Sequence, residues 1–307
     1  MSALIEEHAN LAAAGAEAIR LSVLIPFHRD DPSGLIKQLA ADAPSGVELV
    51  AFDDGAPDAA LTERVKTSVQ GVETPARLVV ARVNFGRSGA RNRLAARARG
   101  EWLLFLDADM RTEPGFLQRW LDHIAEARAD ALFGGYAPVA PESPAHKVHA
   151  ALAHASDVRS AAERETAGPV AICSSNLAVR ASAFILFDEG YEGWGWEDVD
   201  WALSFAARAC TGHVDNPAGH AGLESVEGLI AKFARSGPNF ARLLDRHPDY
   251  AARPGARLAL AVRRFRIGPL ARLTGAIAAR AGFAPVALRV AGLKLYRAGV
   301  AARSLSR

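Results

Sequence analysis

Cysteine is scarce in this sequence of 307 residues, which contains only Cys173 and Cys210. Two cysteines argue against a disulfide scaffold and against a thiolate metal site, so a reducing, cytoplasmic environment is expected. No run of about eighteen uninterrupted apolar residues is present, so a helix that spans a membrane is not expected. The first residues lack a basic stretch followed by an apolar one, and we therefore expect no secretory signal.

Acidic residues are absent from Arg253 to the C-terminus, where all twelve charged residues are Lys or Arg. The rest of the chain has 24 Lys and Arg against 34 Asp and Glu, a net charge of −10. An acidic body with a cationic tail indicates two surfaces that meet different partners. Because the composition changes near Arg253, we expect a helical leader over residues 1–20, a main domain over residues 21–250 and a basic helical extension over residues 251–307.

Four short apolar runs predict buried strands, and each is followed by a helical pattern. The runs cover residues 21–25, 47–52, 78–83 and 102–106. Their length and their content of Val, Ile, Leu and Phe are typical of parallel strands that are covered on both faces. Strands that alternate with helices predict right-handed crossovers and an α/β fold with an open, mostly parallel sheet flanked by helices.

Polar residues follow all four predicted strands. They are Pro26-Phe27-His28-Arg29, Asp53-Asp54-Gly55, the segment from Asn84 to Asn92, and Asp107-Ala108-Asp109. Ligands of open parallel sheets bind beyond the carboxyl ends of the strands, so these residues predict a site at that edge. The sequence has neither the glycine spacing of a dinucleotide fold nor the Gly-Lys-Ser/Thr of a P-loop, which excludes those two kinds of nucleotide site.

Asp107 and Asp109 are candidate ligands of a divalent cation, because Mg²⁺ and Mn²⁺ prefer oxygen ligands and share them with phosphates. A bound metal would stabilise the charge that develops on a diphosphate leaving group. The same tripeptide could be a helix N-cap and turn, but its position after a buried strand favours the metal. His220 is a candidate further ligand, with His213 as a weaker rival; a lone loop histidine can also be structural.

Asp53 and Asp54 could form an ordinary turn with Gly55, or a carboxylate could accept a hydrogen bond from a nucleotide base. Arg91 and Asn92, at the start of a predicted helix, could contact a phosphate or ribose or could be solvated helix residues. The residue pattern leaves both pairs of alternatives open.

Residues 193–201 combine three tryptophans with three acids. Indole rings such as those of Trp194 and Trp196 stack on sugar rings, and carboxylates such as those of Glu197 and Asp198 bind hydroxyl groups. A carboxylate at a helix N-terminus is stabilised as an anion and can serve as a general base. A capped helix with tryptophans in the core would explain one or two of these residues but not the whole run, so we favour an acceptor-binding and catalytic role.

Together these segments resemble the inverting GT-A glycosyltransferases of family 2. The resemblance covers roughly residues 20–225 and rests on P-F-H-R, D-D-G, N-F-G, A-R-N, G-E-W-L-L-F-L-D-A-D, N-L-A-V-R and G-W-G-W-E-D-V-D. The last segment is similar to the W-G-x-E-D of β-1,4-galactosyltransferases and chondroitin-polymerase-like enzymes. The resemblance implies a GT-A catalytic domain over residues 21–250, with a nucleotide-binding half at about 21–130 and an acceptor half at about 131–250.

The resemblance also implies roles for individual residues. Asp53 and Asp54 would contact the nucleotide, with Pro26 and His28 nearby. Asp107 and Asp109 would bind Mn²⁺ or Mg²⁺, with His220 as a further ligand. Asp198 would be the general base, and Glu197 would hold the acceptor sugar. The implied reaction is one in-line displacement that inverts the anomeric configuration. The first segment reads P-F-H-R where P-T-Y-N is commoner in the family, so recognition of the base is expected to differ.

The implied activity transfers a hexose or N-acetylhexosamine from a nucleotide-diphosphate sugar, with UDP favoured, to a hydroxyl of a glycan or lipid-linked acceptor, as in polysaccharide biosynthesis. One alternative is a non-catalytic module that binds sugar nucleotides or glycans, against which the intact acid pairs argue. The other is a phosphohydrolase with Asp107 as nucleophile and Asp109 as acid. Such enzymes usually carry D-x-D near the N-terminus, whereas here it is mid-chain.

The basic tail predicts contact with a membrane surface. Leu258, Val262 and Phe265 are spaced as a narrow apolar stripe among arginines, which is typical of a segment that lies on anionic lipid at the inner face of a membrane. Alternatively, the tail is a helical extension that packs on the body. Nucleic acid is not expected as a partner, because the tail has no recognised binding motif.

Overall fold

The computed structural model describes residues 5–16 and 18–305. The described strands are β1 (Ile5–Ala9), β2 (Leu21–Phe27), β3 (Val47–Asp54), β4 (Ala76–Ala81), β5 (Trp102–Leu106), β6 (Met110–Arg111), β7 (Ala131–Phe133), β8 (Tyr136–Ala137), β9 (Asn176–Arg180), β10 (Thr211–His213) and β11 (Ala218–His220). The described helices are α1 (Leu11–Ala14), α2 (Ser33–Ala41), α3 (Ala59–Gln70), α4 (Gly86–Ala95), α5 (Phe116–Ala125), α6 (Lys147–Ser156), α7 (Ala161–Ala167), α8 (Glu197–Ala206), α9 (Val226–Arg235), α10 (Gly237–Arg246), α11 (Pro254–Arg264), α12 (Gly268–Arg280) and α13 (Val286–Ser304).

Eight of these strands form one mostly parallel sheet in the order β1-β4-β3-β2-β5-β9-β7-β10. The four strands predicted from the apolar runs, β2 to β5, are parallel neighbours at its centre. Strand β9 runs antiparallel between β5 and β7. A smaller sheet has the order β6-β11-β8 and follows directly after the carboxyl end of β5. The predicted α/β fold with an open sheet and flanking helices is therefore confirmed.

Alternate residues of the central strands enter two separate cores, one on each face of the large sheet. In β2, Val23 and Ile25 belong to one core, whereas Leu24 belongs to the other. Helices α2, α3 and α5 contribute apolar residues to the first core, and α4 and α8 contribute to the second. Burial on both faces explains why these strands lack the apolar–polar alternation of a half-exposed strand.

The expected helical leader contains a strand instead. Residues of β1 pair antiparallel with β4, from Ile5 opposite Ala81 to Ala9 opposite Arg77. The carboxylate of Glu7 lies 2.8 Å from the guanidinium of Arg77, and that of Glu6 lies 2.7 Å from Arg82. Because β1 is an edge strand with exposed acidic side chains, its sequence has no apolar run that would identify it.

The structure divides the chain into two compact units whose bounds differ from the expected domain boundaries. The first comprises Met1–Ala137, Arg159–Glu189 and Trp201–Ala221, and contains both sheets. The second comprises Pro138–Val158, Gly190–Asp200 and Gly222–Arg307, and its regular elements are helical. The basic C-terminal residues are helical as expected, but they are integral to the second unit because α13 packs against α6, α9 and α10.

The apolar stripe predicted for the basic tail is wrong in one of its three residues. Val262 is buried with 3% of its surface exposed, whereas Leu258 and Phe265 are 41% and 69% exposed. Helix α11 buries Ala256, Ala259 and Val262. Within the part of the chain that the structure describes, no helix has the length and apolar character needed to cross a membrane.

Candidate functional site

Asp53 and Asp54 end β3 and are both buried, with 1% and 5% of their surface exposed. Asp53 accepts hydrogen bonds from the Ala56 amide, at 2.6 Å, and from the Thr62 hydroxyl. It lines a cavity of about 360 Å³ together with residues of β4 and α3. The carboxylate is therefore held in one orientation at the wall of a cavity large enough for a nucleotide base.

Asp54 accepts hydrogen bonds from the backbone amides of Phe85, at 2.7 Å, and Gly86, at 3.0 Å. These amides belong to the start of α4, where helices favour a negative charge. Burial nevertheless raises the pKa of Asp54 above its usual value of 3.8, although the two amides oppose the shift. Through these hydrogen bonds, Asp54 positions the N-terminus of α4 next to the end of β3.

His28 lies just beyond β2 and joins this cluster. Its Nδ1 is 3.1 Å from the carbonyl oxygen of Asp54 and 3.2 Å from Nδ2 of Asn84. Asn84 also donates to the same Asp54 carbonyl at 3.0 Å. Pro26 lies one residue inside the end of β2, opposite Phe52 of β3. The ends of β2 and β3 therefore bring Pro26, His28 and the two aspartates to one edge, as the sequence predicts.

Asp107 follows β5 and is bound by two arginines of α4. Arg91 donates to its Oδ1 at 2.6 Å, and a guanidinium nitrogen of Arg87 lies 3.7 Å from its Oδ2. Burial by itself would raise the pKa of Asp107, but the charges of Arg91 and Arg87 outweigh it and hold the pKa below 3.8. Asp107 is an ionised carboxylate whose charge is already compensated within the protein.

Asp109 lies beside His220, because the small sheet pairs β11 with β6, directly after Asp109. His220 stands opposite Met110 in that pairing, and its Nε2 is 3.3 Å from Oδ2 of Asp109. Burial, with the charges of Asp107 and Asp30, raises the pKa of Asp109 above 3.8, while the charge of His220 opposes this. The structure therefore brings together a carboxylate and an imidazole from residues more than a hundred positions apart.

Asp109 and His220 are suited to bind a divalent cation whose remaining coordination positions are filled by substrate and water. No group of three or more His, Cys, Asp and Glu side chains within residues 5–16 and 18–305 is arranged to hold a metal ion on its own. Mg²⁺ and similar ions are commonly held by one or two protein groups together with substrate phosphates and water. The donor set of one carboxylate and one imidazole suits a metal that arrives with a diphosphate.

Arg91 and Asn92 have partners inside the fold. Arg91 is 2% exposed and pairs with Asp107. The Asn92 amide donates to the Phe187 carbonyl at 2.9 Å and accepts from the Phe187 amide at 2.8 Å. Both contacts bind α4 to the rest of the first unit. Burial with satisfied polar atoms favours a positioning role for Asn92 over direct nucleotide contact.

In the second unit, Trp194 and Trp196 pack around the guanidinium of Arg297 from α13. Its central carbon lies 4.3 Å from the ring centre of Trp196, 5.8 Å from that of Trp194 and 5.2 Å from that of Phe233. Cations over aromatic faces are attracted by the ring quadrupole. Trp196 has a φ of +80°, which non-glycine residues seldom adopt, so these contacts hold a strained backbone.

Glu197 and Asp198 open α8 directly after this tryptophan segment. Glu197 is 4% exposed, whereas Asp198 is half-buried. Asp200, one turn on, is fixed by Arg246 at 2.6 Å and His247 at 3.0 Å. The third tryptophan of the segment, Trp201, is a core residue of the first unit that stacks on Phe187 and Phe205.

Two residues that position this segment give no signal in the sequence. The Asn239 amide donates to the carbonyls of Glu192, at 2.9 Å, and Gly195, at 3.1 Å. Arg297 lies about a hundred positions from the tryptophans that it contacts. A charge imbalance marks the tail as basic, but no local pattern distinguishes Arg297 from its neighbours, so only the fold identifies it.

The sequence of this chain matches the profile of a known protein family. The profile of glycosyl transferase family 2 matches residues 22–183. A curated relative from Mycobacterium tuberculosis, described as "Putative glycosyltransferases", is 28% identical over 124 residues. That match spans 39% of this chain and 36% of the relative, so it reaches only part of either protein.

Structure comparison agrees on the fold. A mannosyltransferase from Pyrobaculum calidifontis, solved with GDP-Man and Mn²⁺, has a TM-score of 0.57 and 16% identity over 95% of this chain and 90% of its own. Glucosyl-3-phosphoglycerate synthase from Mycobacterium tuberculosis, solved with Mn²⁺ and UDP-glucose, has a TM-score of 0.51 and 19% identity over 76% of this chain and 80% of its own. Such low identities show the fold alone, and it is the predicted GT-A fold. Because the profile covers more than half of the chain and includes the carboxylates of β3 and the D-x-D, the chain belongs to glycosyl transferase family 2.

Proposed function

We propose that the protein transfers a hexose or N-acetylhexosamine from a nucleoside-diphosphate sugar to a hydroxyl of a glycan or lipid-linked acceptor, with inversion at the anomeric carbon. The observation that carries the proposal is the Asp109–His220 pair, whose Nε2 and Oδ2 are 3.3 Å apart at the same sheet edge as Asp53 and Asp54. A carboxylate and an imidazole at that edge, beside two further carboxylates, suit a ligand that contains both a base and a metal-bound diphosphate.

The proposed donor is held at both of its ends. Asp53, at the wall of its cavity, accepts from the base or ribose, with Pro26 and His28 beside it. Asp109 and His220 would hold Mn²⁺ or Mg²⁺, which would supply a positive charge that stabilises the departing nucleoside diphosphate. The two solved relatives bind UDP-glucose and GDP-Man with Mn²⁺, which supports a nucleotide sugar and a divalent metal. UDP is the nucleotide that we propose from the resemblance.

Asp198 is the proposed general base. Its half-buried carboxylate stands in the first turn of α8, where the helix dipole favours the anion. In the reaction it takes the proton of the acceptor hydroxyl, whose oxygen forms a bond to the anomeric carbon as the bond to the diphosphate breaks. Glu197 orients the acceptor hydroxyl, and Trp194 and Trp196 present indole faces to the acceptor sugar. We propose that this takes place on the cytoplasmic side of the cell, at the inner face of the membrane.

The test is a screen of UDP-, GDP- and dTDP-sugars for release of nucleoside diphosphate, with Mn²⁺ or with EDTA. We expect metal-dependent release from one donor and a fall of at least about a hundredfold in Asp198→Asn, since a general base typically contributes that much. Asp245→Asn, which changes an exposed carboxylate on α10 of the same unit, is the matched control and should be unchanged.

Two results would overturn the proposal. Tight donor binding in calorimetry, with no release in the presence of any acceptor and no effect of Asp198→Asn, would indicate a binding module. Release of phosphate from a simple phosphoester, without sugar transfer, would indicate a phosphohydrolase that uses Asp107 as its nucleophile.

A further inference from the structure

Helix α12 exposes its large apolar side chains and buries its small ones. Leu270, Leu273 and Ile277 are 56%, 60% and 59% exposed. Their spacing of three and four residues places them on one face of the helix. The opposite face buries Ala271 and Ala279. A helix at the surface of a globular protein normally has the reverse arrangement, with its large apolar side chains facing the core.

The buried face of α12 explains why small residues are needed there. At Gly275 an added Cβ would lie 2.6 Å from the backbone nitrogen of Tyr296 and 2.7 Å from the carbonyl oxygen of Gly292, both on α13. The two helix backbones are therefore in near contact. Small residues between helices and large apolar residues facing outward are the arrangement of helices in contact with lipid.

Exposed large apolar side chains also lie just before and just after α12. Phe265 and Ile267 in the preceding turn are 69% and 42% exposed, and Phe283 in the following turn is 97% exposed. Of the eleven large hydrophobic side chains that are exposed within the described chain, eight lie after residue 253; the other three are Leu11, Val83 and Leu186. An apolar patch of this kind marks an interaction site.

The charged residues of the C-terminal helices beside this patch are all cations, and one of them, Arg280 at the end of α12, is paired with Glu227 of α9. The sequence from Arg253 onward has no Asp or Glu. Arg263, Arg264 and Arg266, at the end of α11 and in the turn before α12, are all exposed. A basic rim around an apolar face complements a surface that is itself anionic outside and apolar within.

Four arginines also line a cavity of about 280 Å³ between the three C-terminal helices. They are Arg263, Arg266, Arg272 and Arg303, and no acidic residue is among the eight that line the cavity. Nε of Arg272 is buried and has no hydrogen-bond partner among the described residues. Arginine side chains around a cavity suit an anion such as phosphate, which accepts several hydrogen bonds at once.

We propose that α11, α12 and α13 form a docking surface for an anionic phospholipid bilayer. The apolar face of α12 enters the interface with the helix lying in the membrane plane, and the exposed arginines at the end of α11 and in the turn before α12 meet the anionic headgroups. A second copy of this chain is a poorer occupant, because a twofold interface through the patch would set the exposed arginines against themselves. This inference does not depend on the proposed sugar transfer and is tested without it.

The full chain is floated with vesicles of phosphatidylcholine alone or of equal parts phosphatidylcholine and phosphatidylglycerol. We expect recovery with the anionic vesicles. The triple variant Leu270→Ser, Leu273→Ser, Ile277→Ser should lower the apparent lipid affinity by at least about tenfold, because three apolar side chains no longer enter the interface. The variant Arg263→Gln, Arg266→Gln should lower the affinity for anionic vesicles by roughly fivefold per arginine.

Matched controls change the same residue types outside the surface. Leu11→Ser, Leu186→Ser and Arg128→Gln, Arg208→Gln alter exposed leucines and arginines of the first unit and should float as the wild type does. Far-ultraviolet circular dichroism checks that each variant is folded. Equal recovery with and without vesicles would overturn the proposal, as would binding of inorganic phosphate without binding of vesicles. So would a dimer in light scattering that the leucine variant abolishes while vesicle recovery is unchanged.

Discussion

Arg91 of α4 donates a hydrogen bond to Oδ1 of Asp107 at 2.6 Å, and this contact gives Asp107 an environment different from that of Asp109 in the same D-x-D segment. Asp107 has its pKa lowered by arginine charges, whereas Asp109 has its pKa raised, first by burial. The two carboxylates are separated only by Ala108, and the D-x-D pattern does not distinguish them. Asp107 is ion-paired with Arg91, whereas Asp109 lies beside His220.

Removing Arg91 should destabilise the fold. In Arg91→Met, Asp107 keeps its charge in a largely buried place but loses its main partner, and breaking such a pair costs about 3–5 kcal/mol. The side chains of the two residues are only 2% and 19% exposed. Urea denaturation followed by circular dichroism measures the loss. Arg64→Met, which breaks an exposed pair with Asp31, should cost less than about 1 kcal/mol. Equal losses in the two variants would contradict the structural importance of the Arg91–Asp107 pair.

Removing His220 should weaken nucleotide binding only when metal is present. If His220 and Asp109 share the metal, His220→Ala leaves one protein ligand, and we expect Mn²⁺-dependent binding of UDP to weaken by about tenfold or more. Isothermal calorimetry with Mn²⁺ and with EDTA measures both affinities, and the weak binding in EDTA should be unchanged. His154→Gln, at an exposed position on α6, is the control. An equal loss with and without metal would instead indicate that His220 contacts the nucleotide.

The second buried ion-pair network lies at the opposite ends of the central strands. Glu48 of β3 is fully buried and accepts from the Ser22 hydroxyl at 2.6 Å, the Arg99 side chain at 2.9 Å and Arg77 at 3.1 Å. Burial by itself raises the pKa of Glu48, but the hydrogen bonds of Ser22 and Arg99 and the charge of Arg77 outweigh it and hold the pKa below 4.5.

This network should make the stability depend on pH. Because the folded pKa of Glu48 lies below its unfolded value, its carboxylate stabilises the fold above pH 4.5, and this contribution disappears as the pH falls through the folded pKa. Glu48→Gln should lose about 3–5 kcal/mol at neutral pH. As the pH falls below about 5, its free energy of unfolding should fall less steeply than that of the wild type. The exposed Glu73→Gln should match the wild type throughout. Parallel pH profiles for Glu48→Gln and the wild type would refute the assignment.

The central fold follows from the sequence because its signals are local. Strands β2 to β5 are buried on both faces, so each is a continuous apolar run, and each delivers its polar residues to the same edge. Strand β1 escapes prediction because an exposed edge strand carries Glu6 and Glu7 rather than apolar residues.

The bounds of the two units and the contacts between residues that are distant in sequence could not be predicted, because no local sequence pattern encodes them. The chain passes between the two compact units several times, so no single change of composition marks their bounds. The pairing of Asp107 with Arg91 depends on how α4 packs on the sheet, and the same spacing in sequence would allow other partners. The outward leucines of α12 are recognisable only once Gly275 shows that its other face lies against α13.

Arg297 connects α13 to the two tryptophans that precede the proposed general base. Its guanidinium is 4.3 Å from the ring centre of Trp196, and burial lowers its pKa. Arg297→Met keeps most of the apolar contact but removes the cation. We expect a loss of roughly 1–2 kcal/mol in stability, the range for a desolvated cation–π contact. Because the indoles are proposed to bind the acceptor, the KM for the acceptor should rise while donor affinity stays constant.

The control for Arg297→Met is Lys294→Met, an exposed cation on the same helix whose loss should change neither stability nor KM. Urea denaturation and acceptor-dependent kinetics are measured on both variants. Donor affinity, measured by calorimetry with Mn²⁺, separates a local effect on the tryptophans from general unfolding, since an unfolded fraction lowers the amount of competent protein without changing the affinity of the rest. A fall in stability without a change in acceptor KM would limit Arg297 to holding the backbone of Trp196. Its contact with Trp194 and Trp196 would then have no part in acceptor binding.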